Sequence, residues 1–309
     1  MALALLVDPD WTKAAAQALA SRMPRMNIVT DRALMESRDI QYIVTFNPPP
    51  GSFARLPGLR LICSAGAGAE KLLEAADLPH GVPLVRVVDP ATNSGIAQYV
   101  VYMLLRQSRD FAGYEIQQRE QSWKSIAVAS AADTTVGILG LGNLGRAVAH
   151  AVAALGFRVA GWSRTPHRLA GIQCNSGERG LENCVRQSRF LVCLLPMTPH
   201  TRGILDARLM ALLPHGAYVI NVARGAHLVP ADLIALLDGG HLSGAALDVH
   251  MSEPLPRGDP LWSHPRVTVT PHIAWRTTPK AMAEQLCANI ERLESGQPLL
   301  NEVQRDRGY

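Results

Sequence analysis

Residues 134–168, TTVGILGLGNLGRAVAHAVAALGFRVAGWSRTPHR, read as a strand, a glycine turn, a helix and a second strand. Val136-Gly137-Ile138-Leu139 is a short apolar run that ends directly in Gly140-Leu141-Gly142-Asn143-Leu144-Gly145. A GxGxxG alone is a weak signal, but between a strand and a helix each glycine has a task. Gly140 permits the tight turn, Gly142 lets the backbone approach a pyrophosphate, and Gly145 lets the helix pack close to the strand. Over residues 144–155 apolar side chains recur at helical spacing. The N–H groups around Asn143 and Leu144 and the positive end of the helix dipole would then face the phosphates of a dinucleotide. An ordinary strand-turn-helix without ligand is the plain alternative.

The second strand, 158–162, leads to a further choice. About 20 residues past the glycines, an NAD-binding chain usually offers Asp or Glu to the ribose 2′-hydroxyl. This chain offers Ser163-Arg164-Thr165, with Arg168 nearby and no carboxylate. A guanidinium suits a 2′-phosphate, so NADP(H) is preferred, with NAD(H) still possible. A solvated surface arginine is the bland counterpart.

A chain of 309 residues can bury a large core and fits one large or two ordinary domains. Hydrophobic content of 48% with 18% charged residues belongs to a soluble globular protein and excludes a disordered one. The formal charge of +4 is small, and no Lys/Arg run with interleaved aromatics suggests a nucleic-acid partner. Residues 1–6 are apolar but lack a basic start and meet Asp8-Pro9-Asp10 too soon for a signal peptide. No stretch approaches a membrane span, so no membrane partner is expected. Cys63, Cys174, Cys184, Cys193 and Cys287 form no CxxC or Cys/His pattern, and no HExxH occurs. These read as reduced thiols of a cytoplasmic protein with no metal.

In chain order, strands are expected at 2–7, 26–30, 41–46, 59–63 and 85–88, with an amphipathic helix at 11–21, which makes a small parallel α/β unit. Ser64-Ala65-Gly66-Ala67-Gly68-Ala69 follows the fourth strand. At the carboxyl end of a parallel strand, such small residues bare their amides to an approaching carboxylate, or simply make a tight turn. A helix over 92–111, apolar at Tyr99, Val100, Met103 and Leu104, carries the chain to the second domain, followed by a polar connection at 117–124. Strands at 190–195, 217–222, 245–249 and 267–269 join the first two to give a six-stranded doubly wound sheet. A last helix, 278–293, returns the chain to the first domain. The expected division is 1–98 for the first part of a substrate domain, 99–276 for a dinucleotide-binding domain, and 277–309 for the returning helix and tail.

Arg224, Glu253 in Ser252-Glu253-Pro254, and His272 in Thr270-Pro271-His272 lie at or past strand ends of the second domain, the edge that would hold a nicotinamide. Arg offers a planar fork to a carboxylate or 2-oxo acid, and His beside a carboxylate is a proton donor. Singly, each could equally be a surface arginine, a turn carboxylate or a core histidine.

Together with the glycine turn and Leu247-Asp248-Val249, these residues resemble the D-2-hydroxyacid dehydrogenases. Gly137-Ile138-Leu139-Gly140, Trp162-Ser163-Arg164-Thr165, Glu253-Pro254-Leu255-Pro256, Pro265-Arg266-Val267-Thr268 and the terminal Arg307-Gly308-Tyr309 are similar to the glyoxylate/hydroxypyruvate reductase A branch, over essentially the whole chain. The resemblance implies a Rossmann dinucleotide-binding domain inserted into a smaller flavodoxin-like substrate domain, both doubly wound parallel α/β. It implies His272 as general acid paired with Glu253, and Arg224 holding the substrate. Ala67 and Gly68 amides would bind the substrate carboxylate, and Leu195, Pro196, Val222, Ala223 and Asp248 would line the cofactor. It also implies a homodimer. The chain departs from the pattern with Glu70 where many members have Asp, Gln98 where many have Glu, and Trp275-Arg276 in place of smaller residues. Trp275 is either a lid over the substrate or a packed aromatic. The reaction expected is reduction of a small 2-oxo acid, glyoxylate or hydroxypyruvate, by NADPH. The rivals are an NAD-dependent D-2-hydroxyacid or phosphonate dehydrogenase, and a nucleotide-sensing interaction protein on the same fold.

Overall fold

The computed structural model describes residues 1–31 and 39–305. The chain divides into two compact units, Met1–Pro90 with Arg276–Tyr309, and Ala91–Trp275. The terminal Arg307-Gly308-Tyr309 lies outside the described residues.

The first unit opens with β1 (Ala2–Leu6), α1 (Pro9–Arg22), β2 (Asn27–Val29), β3 (Ile40–Thr45), β4 (Leu61–Ser64), α2 (Glu70–Leu73) and β5 (Leu84–Arg86). The strands form one parallel sheet in the order β2-β1-β3-β4-β5. All five residues of β1 are buried, which is why ALALL reads as a continuous apolar run: a parallel sheet is covered on both faces. Period-two alternation splits its side chains between two cores. Leu3, Leu5, Tyr42 and Val44 pack with Ala15 and Leu19 of α1 on one face, and Ala4, Leu6, Ile43 and Ile62 pack with Phe53, Leu56 and Leu72 on the other. Asp8 accepts from Asp10 N–H and Pro9 opens the helix, which fixes where α1 begins.

The chain continues through α3 (Pro90–Ser108) and α4 (Phe111–Arg119) into β6 (Thr135–Leu139), α5 (Asn143–Ala154), β7 (Arg158–Ser163), β8 (Gln173–Ser176), α6 (Gly177–Arg186) and β9 (Phe190–Cys193). There follow α7 (Ala207–Met210), β10 (Ala217–Asn221), α8 (Pro230–Asp238), β11 (Leu242–Leu247), α9 (Pro260–Ser263) and β12 (Val267–Val269). The boundary expected after residue 98 falls inside α3, whereas the compact units part at that helix's first residue.

The sheet of the second unit is parallel throughout, in the order β12-β11-β10-β9-β6-β7-β8. Strand order reverses between β6 and β9, and ligands of open parallel sheets bind at such a point, beyond the carboxyl ends of the strands. The sheet has seven strands rather than the expected six. The additional one, β8, is the polar edge segment Gln-Cys-Asn-Ser, with no apolar run to announce it. Val100, Met103 and Leu104 of α3 and Val148, Ala149 and Val152 of α5 cover one face, and helices α6 to α8 cover the other.

The helix expected over 92–111 is α3, which ends at Ser108, and a second helix, α4, follows it. Asp110 adopts φ 50°, and its carboxylate accepts from Gly113 N–H, ending one helix and capping the next. The polar connection at 117–124 accordingly begins inside α4. The last helix, α10 (Pro279–Glu294), belongs to the first unit, where Met282, Ala283, Leu286 and Ile290 complete the core beside α1.

Cys63, Cys184 and Cys193 are buried, and burial pushes their thiols up to about 12, which makes them inert packing groups. Among the described residues, no helix is long and apolar enough to cross a membrane, and no group of three His, Cys, Asp or Glu could hold a metal ion.

Candidate active site

The carboxyl edge of the second unit's sheet carries every element of the glycine turn and the Arg, Glu and His set. β6 runs into Gly140, which has φ +102° and lies so close to Leu194 that a Cβ would sit 2.7 Å from its carbonyl oxygen. At Gly145 a Cβ would stand 1.7 Å from the Gly140 carbonyl oxygen, so only glycine lets α5 start this near the strand. Gly142 differs, since a Cβ there would meet nothing within 4 Å. No side chain caps α5, and its first turn holds no acid. That open, uncapped helix start suits a pyrophosphate and fits a dinucleotide.

The loop after β7 completes the cradle. Ser163 is buried, and its hydroxyl donates to Thr165 O at 2.8 Å, folding a turn that leaves Arg164, Thr165 and Arg168 exposed. Arg146, which sequence reading passed over, joins the two halves: Nε donates to Leu141 O at 3.1 Å and Nη2 lies 3.2 Å from His167 Nδ1. Leu195, Val222 and Ala223 are buried just past β9 and β10, and Pro196 is exposed.

Arg224 sits in a loop built by hydrogen bonds. Asn221 bonds to Ala223 N–H and Arg224 O, His227 Nδ1 accepts from Arg224 N–H, and Arg224 Nη1 donates to Ala223 O at 2.7 Å. His227 is fully buried, and its Nε2 lies 3.3 Å from Pro196 O, so one imidazole ties the arginine loop to the turn after β9. A histidine three residues past the arginine was the only sequence signal for it.

Glu253 and His272 meet. His272 Nδ1 and Glu253 Oε2 are 2.8 Å apart, with the two side chains about a third exposed, at 33% and 37%. The other carboxylate oxygen accepts from His250 N–H at 2.9 Å. Burial by itself pushes the Glu253 carboxyl up; the hydrogen bonds from His272 and the His250 amide lead the effects that outweigh it, holding the group below its ordinary range. With Nδ1 occupied, Nε2 is the nitrogen His272 can present to a substrate.

His272 has φ +54°, a conformation that side chains other than glycine adopt under constraint. The constraint is Asp248, 1% exposed. Its Oδ1 accepts from Thr270 Oγ1 at 2.6 Å and Ile273 N–H at 2.8 Å, its Oδ2 accepts from Ala274 N–H at 2.8 Å, and its carbonyl accepts from His272 N–H. Both carboxylate oxygens are thus engaged inside the protein, and Asp248 holds the His272 turn. Tyr99 of α3 joins this network through Thr270 Oγ1 at 2.7 Å.

Trp275 is packed within the second unit. Its ring lies over Gly95, where a Cβ would stand 1.8 Å from Cε3, and it packs against the core that α3 covers. Ala67 and Gly68 belong to the first unit, past β4. There Val87 N–H takes the Gly66 carbonyl, Arg86 the Ala67 carbonyl, and Ser64 Oγ the Gly68 carbonyl. The loop is pinned through its carbonyls, and those bonds do not use the Ala67 and Gly68 amides. Glu70 starts α2, and Gln98 is an exposed residue of α3.

Comparison with known proteins decides the family. The model of the D-isomer specific 2-hydroxyacid dehydrogenase NAD-binding domain matches residues 101–274. A protein of Yersinia enterocolitica named glyoxylate/hydroxypyruvate reductase A is 40% identical over 296 residues, covering 94% of each chain. This chain belongs to the D-isomer specific 2-hydroxyacid dehydrogenases. Among solved structures, the dehydrogenase is similar to a family member from Xanthobacter autotrophicus Py2 in complex with NADPH and MES, with a TM-score of 0.91, 41% identity, and coverage of 100% of this chain and 99% of that one. It is also similar to an NADPH-dependent glyoxylate/hydroxypyruvate reductase from Sinorhizobium meliloti in complex with NADP and sulfate, with a TM-score of 0.92, 36% identity and the same coverage. The parallel sheets and the strand reversal described above are those expected of a dehydrogenase in this family.

Proposed function

We propose that this dehydrogenase reduces small 2-oxo acids, glyoxylate and hydroxypyruvate foremost, to 2-hydroxy acids with NADPH. The observation that carries the reading is the Glu253–His272 pair, held on the same carboxyl edge of one sheet as the glycine turn. The NADPH and NADP bound to the Xanthobacter and Sinorhizobium proteins, and the names of the Yersinia and Sinorhizobium relatives, support it.

Gly140, Gly142, Asn143, Leu144 and Gly145 would hold the pyrophosphate, and Arg164, with Ser163, Thr165 and Arg168, the 2′-phosphate. Bound there, NADPH supplies the hydride to the carbonyl carbon. Arg224 pairs with the substrate carboxylate and neutralises the charge that grows on the carbonyl oxygen. His272 gives that oxygen a proton from Nε2, and Glu253 keeps the ring oriented through Nδ1. The Ala67 and Gly68 amides would bind the substrate carboxylate. The enzyme acts as a homodimer in the cytoplasm, a reading supported by apolar side chains exposed on α3 and α4 and by unpaired thiols.

The test is loss of NADPH absorbance with a panel of 2-oxo acids, repeated with NADH. Turnover of glyoxylate or hydroxypyruvate with NADPH preferred is the expected result. Binding of NADPH with no turnover of any 2-oxo acid would leave a nucleotide sensor.

A further inference from the structure

One buried residue, through its main chain and its ring, touches all three loops that carry Arg224, Glu253 and His272. His250 is 8% exposed, and its main-chain N–H donates to Glu253 Oε1 at 2.9 Å. Its ring Nε2 lies 3.2 Å from the carbonyl oxygen of Thr270, two residues before His272. A carbonyl can only accept, so Nε2 carries the proton. The same Thr270 oxygen accepts from His272 N–H at 3.1 Å, so the His250 ring bears on the turn that sets the His272 backbone. On its third side, the His250 backbone lies against Gly225, the residue after Arg224. A Cβ on Gly225 would stand 1.9 Å from the His250 carbonyl carbon.

The ring is held there at a cost. Its Nδ1 is buried without a hydrogen-bond partner, and an unpaired buried acceptor is unfavourable. A phenylalanine would fill the same volume with no such penalty, so packing alone does not account for an imidazole.

We infer that His250 is a positioning residue, whose amide and ring N–H groups together fix the Glu253–His272 pair beside the Arg224 loop. The inference rests on the proposed reduction, with His272 as its proton donor.

Two variants of the full chain test it. His250→Phe keeps the ring volume and the amide but removes the ring donor. His250→Gln returns an N–H near the place of Nε2. Two readouts are needed: kcat and KM for glyoxylate with NADPH, and the 15N signals of the His272 ring without substrate, referenced to Glu253→Gln. His250→Phe should lower kcat roughly tenfold, less than the hundredfold that a misplacement of about 1 Å can cause, with KM for NADPH unchanged. Its His272 ring signals should move toward those of Glu253→Gln, and His250→Gln should recover most of both losses. Wild-type ring signals in His250→Phe, or a His250→Gln as impaired as His250→Phe, overturn the inference. A wild-type enzyme that turns over no 2-oxo acid sinks the proposed reaction instead, and the ring signals then decide the role of His250.

Discussion

His272 and Glu253 form a pair whose two halves can be tested separately. His272→Asn removes the proton at Nε2 while leaving the turn that Asp248 holds, so kcat should fall by about 10²–10⁴ with NADPH affinity unchanged. Near-normal turnover in that variant would remove His272 from the chemistry. Glu253 is held below the ordinary carboxylate range, and the sign of its contribution follows. A carboxyl that is more acidic in the folded than in the unfolded chain stabilises the fold above its unfolded pKa of about 4.3, and loses that effect as pH falls through the lower folded value. Wild type should therefore melt higher than Glu253→Gln at neutral pH, with the gap closing below about pH 4. A gap that stays constant from neutral pH down to pH 3 would contradict the shift. The sequence made Arg224, Glu253 and His272 legible because each follows a strand-like run. It did not reveal Asp248 as the clamp of the His272 turn or His227 as the tie to Pro196, because those roles depend on hydrogen bonds to main-chain atoms far along the chain.

At the scale of elements, the β6–α5–β7 run was read nearly to the residue, since glycine spacing, helical period and a buried strand all agree there. Elements without such agreement were missed. β8 is a polar edge strand with no period, and the break between α3 and α4 turns on one aspartate in a left-handed conformation. The 2′-phosphate loop is where an element sets cofactor choice. Ser163 folds the turn past β7 and Arg164 stands exposed on it, with Arg146 and His167 alongside. Arg164→Asp exchanges an attractive fork for a repulsive carboxylate, so NADPH binding should weaken by on the order of 2–3 kcal/mol while NADH binding holds. The check is the ratio of the two dissociation constants, and an unchanged ratio would move the 2′-phosphate away from Arg164.

At the scale of the whole molecule, the sequence foretold an inserted domain, and each unit has its own parallel sheet covered on both faces. What a single chain leaves uncovered bears on the proposed homodimer. Tyr102, Phe111, Ile116, Trp123 and Val128 are exposed, Trp123 completely, on α3, α4 and the segment that follows. That segment is not loose: Tyr114 Oη accepts from Ile126 N–H at 2.8 Å and Gln117 Oε1 from Lys124 N–H at 3.1 Å, which lays it along α4. A run of exposed apolar groups on an ordered surface is costly for a monomer and suits an isologous contact, in which each residue is buried twice. Ile116→Glu combined with Trp123→Glu should therefore place four charges in the interface of a dimer. Trp123 is fully exposed and Ile116 about half exposed, so the melting of the isolated chain has little packing to lose. Sedimentation equilibrium should find wild type as a dimer at micromolar concentration and the double variant as a folded monomer that still binds NADPH. A monomeric wild type ends the dimer proposal, and a double variant that remains dimeric moves the interface to another face.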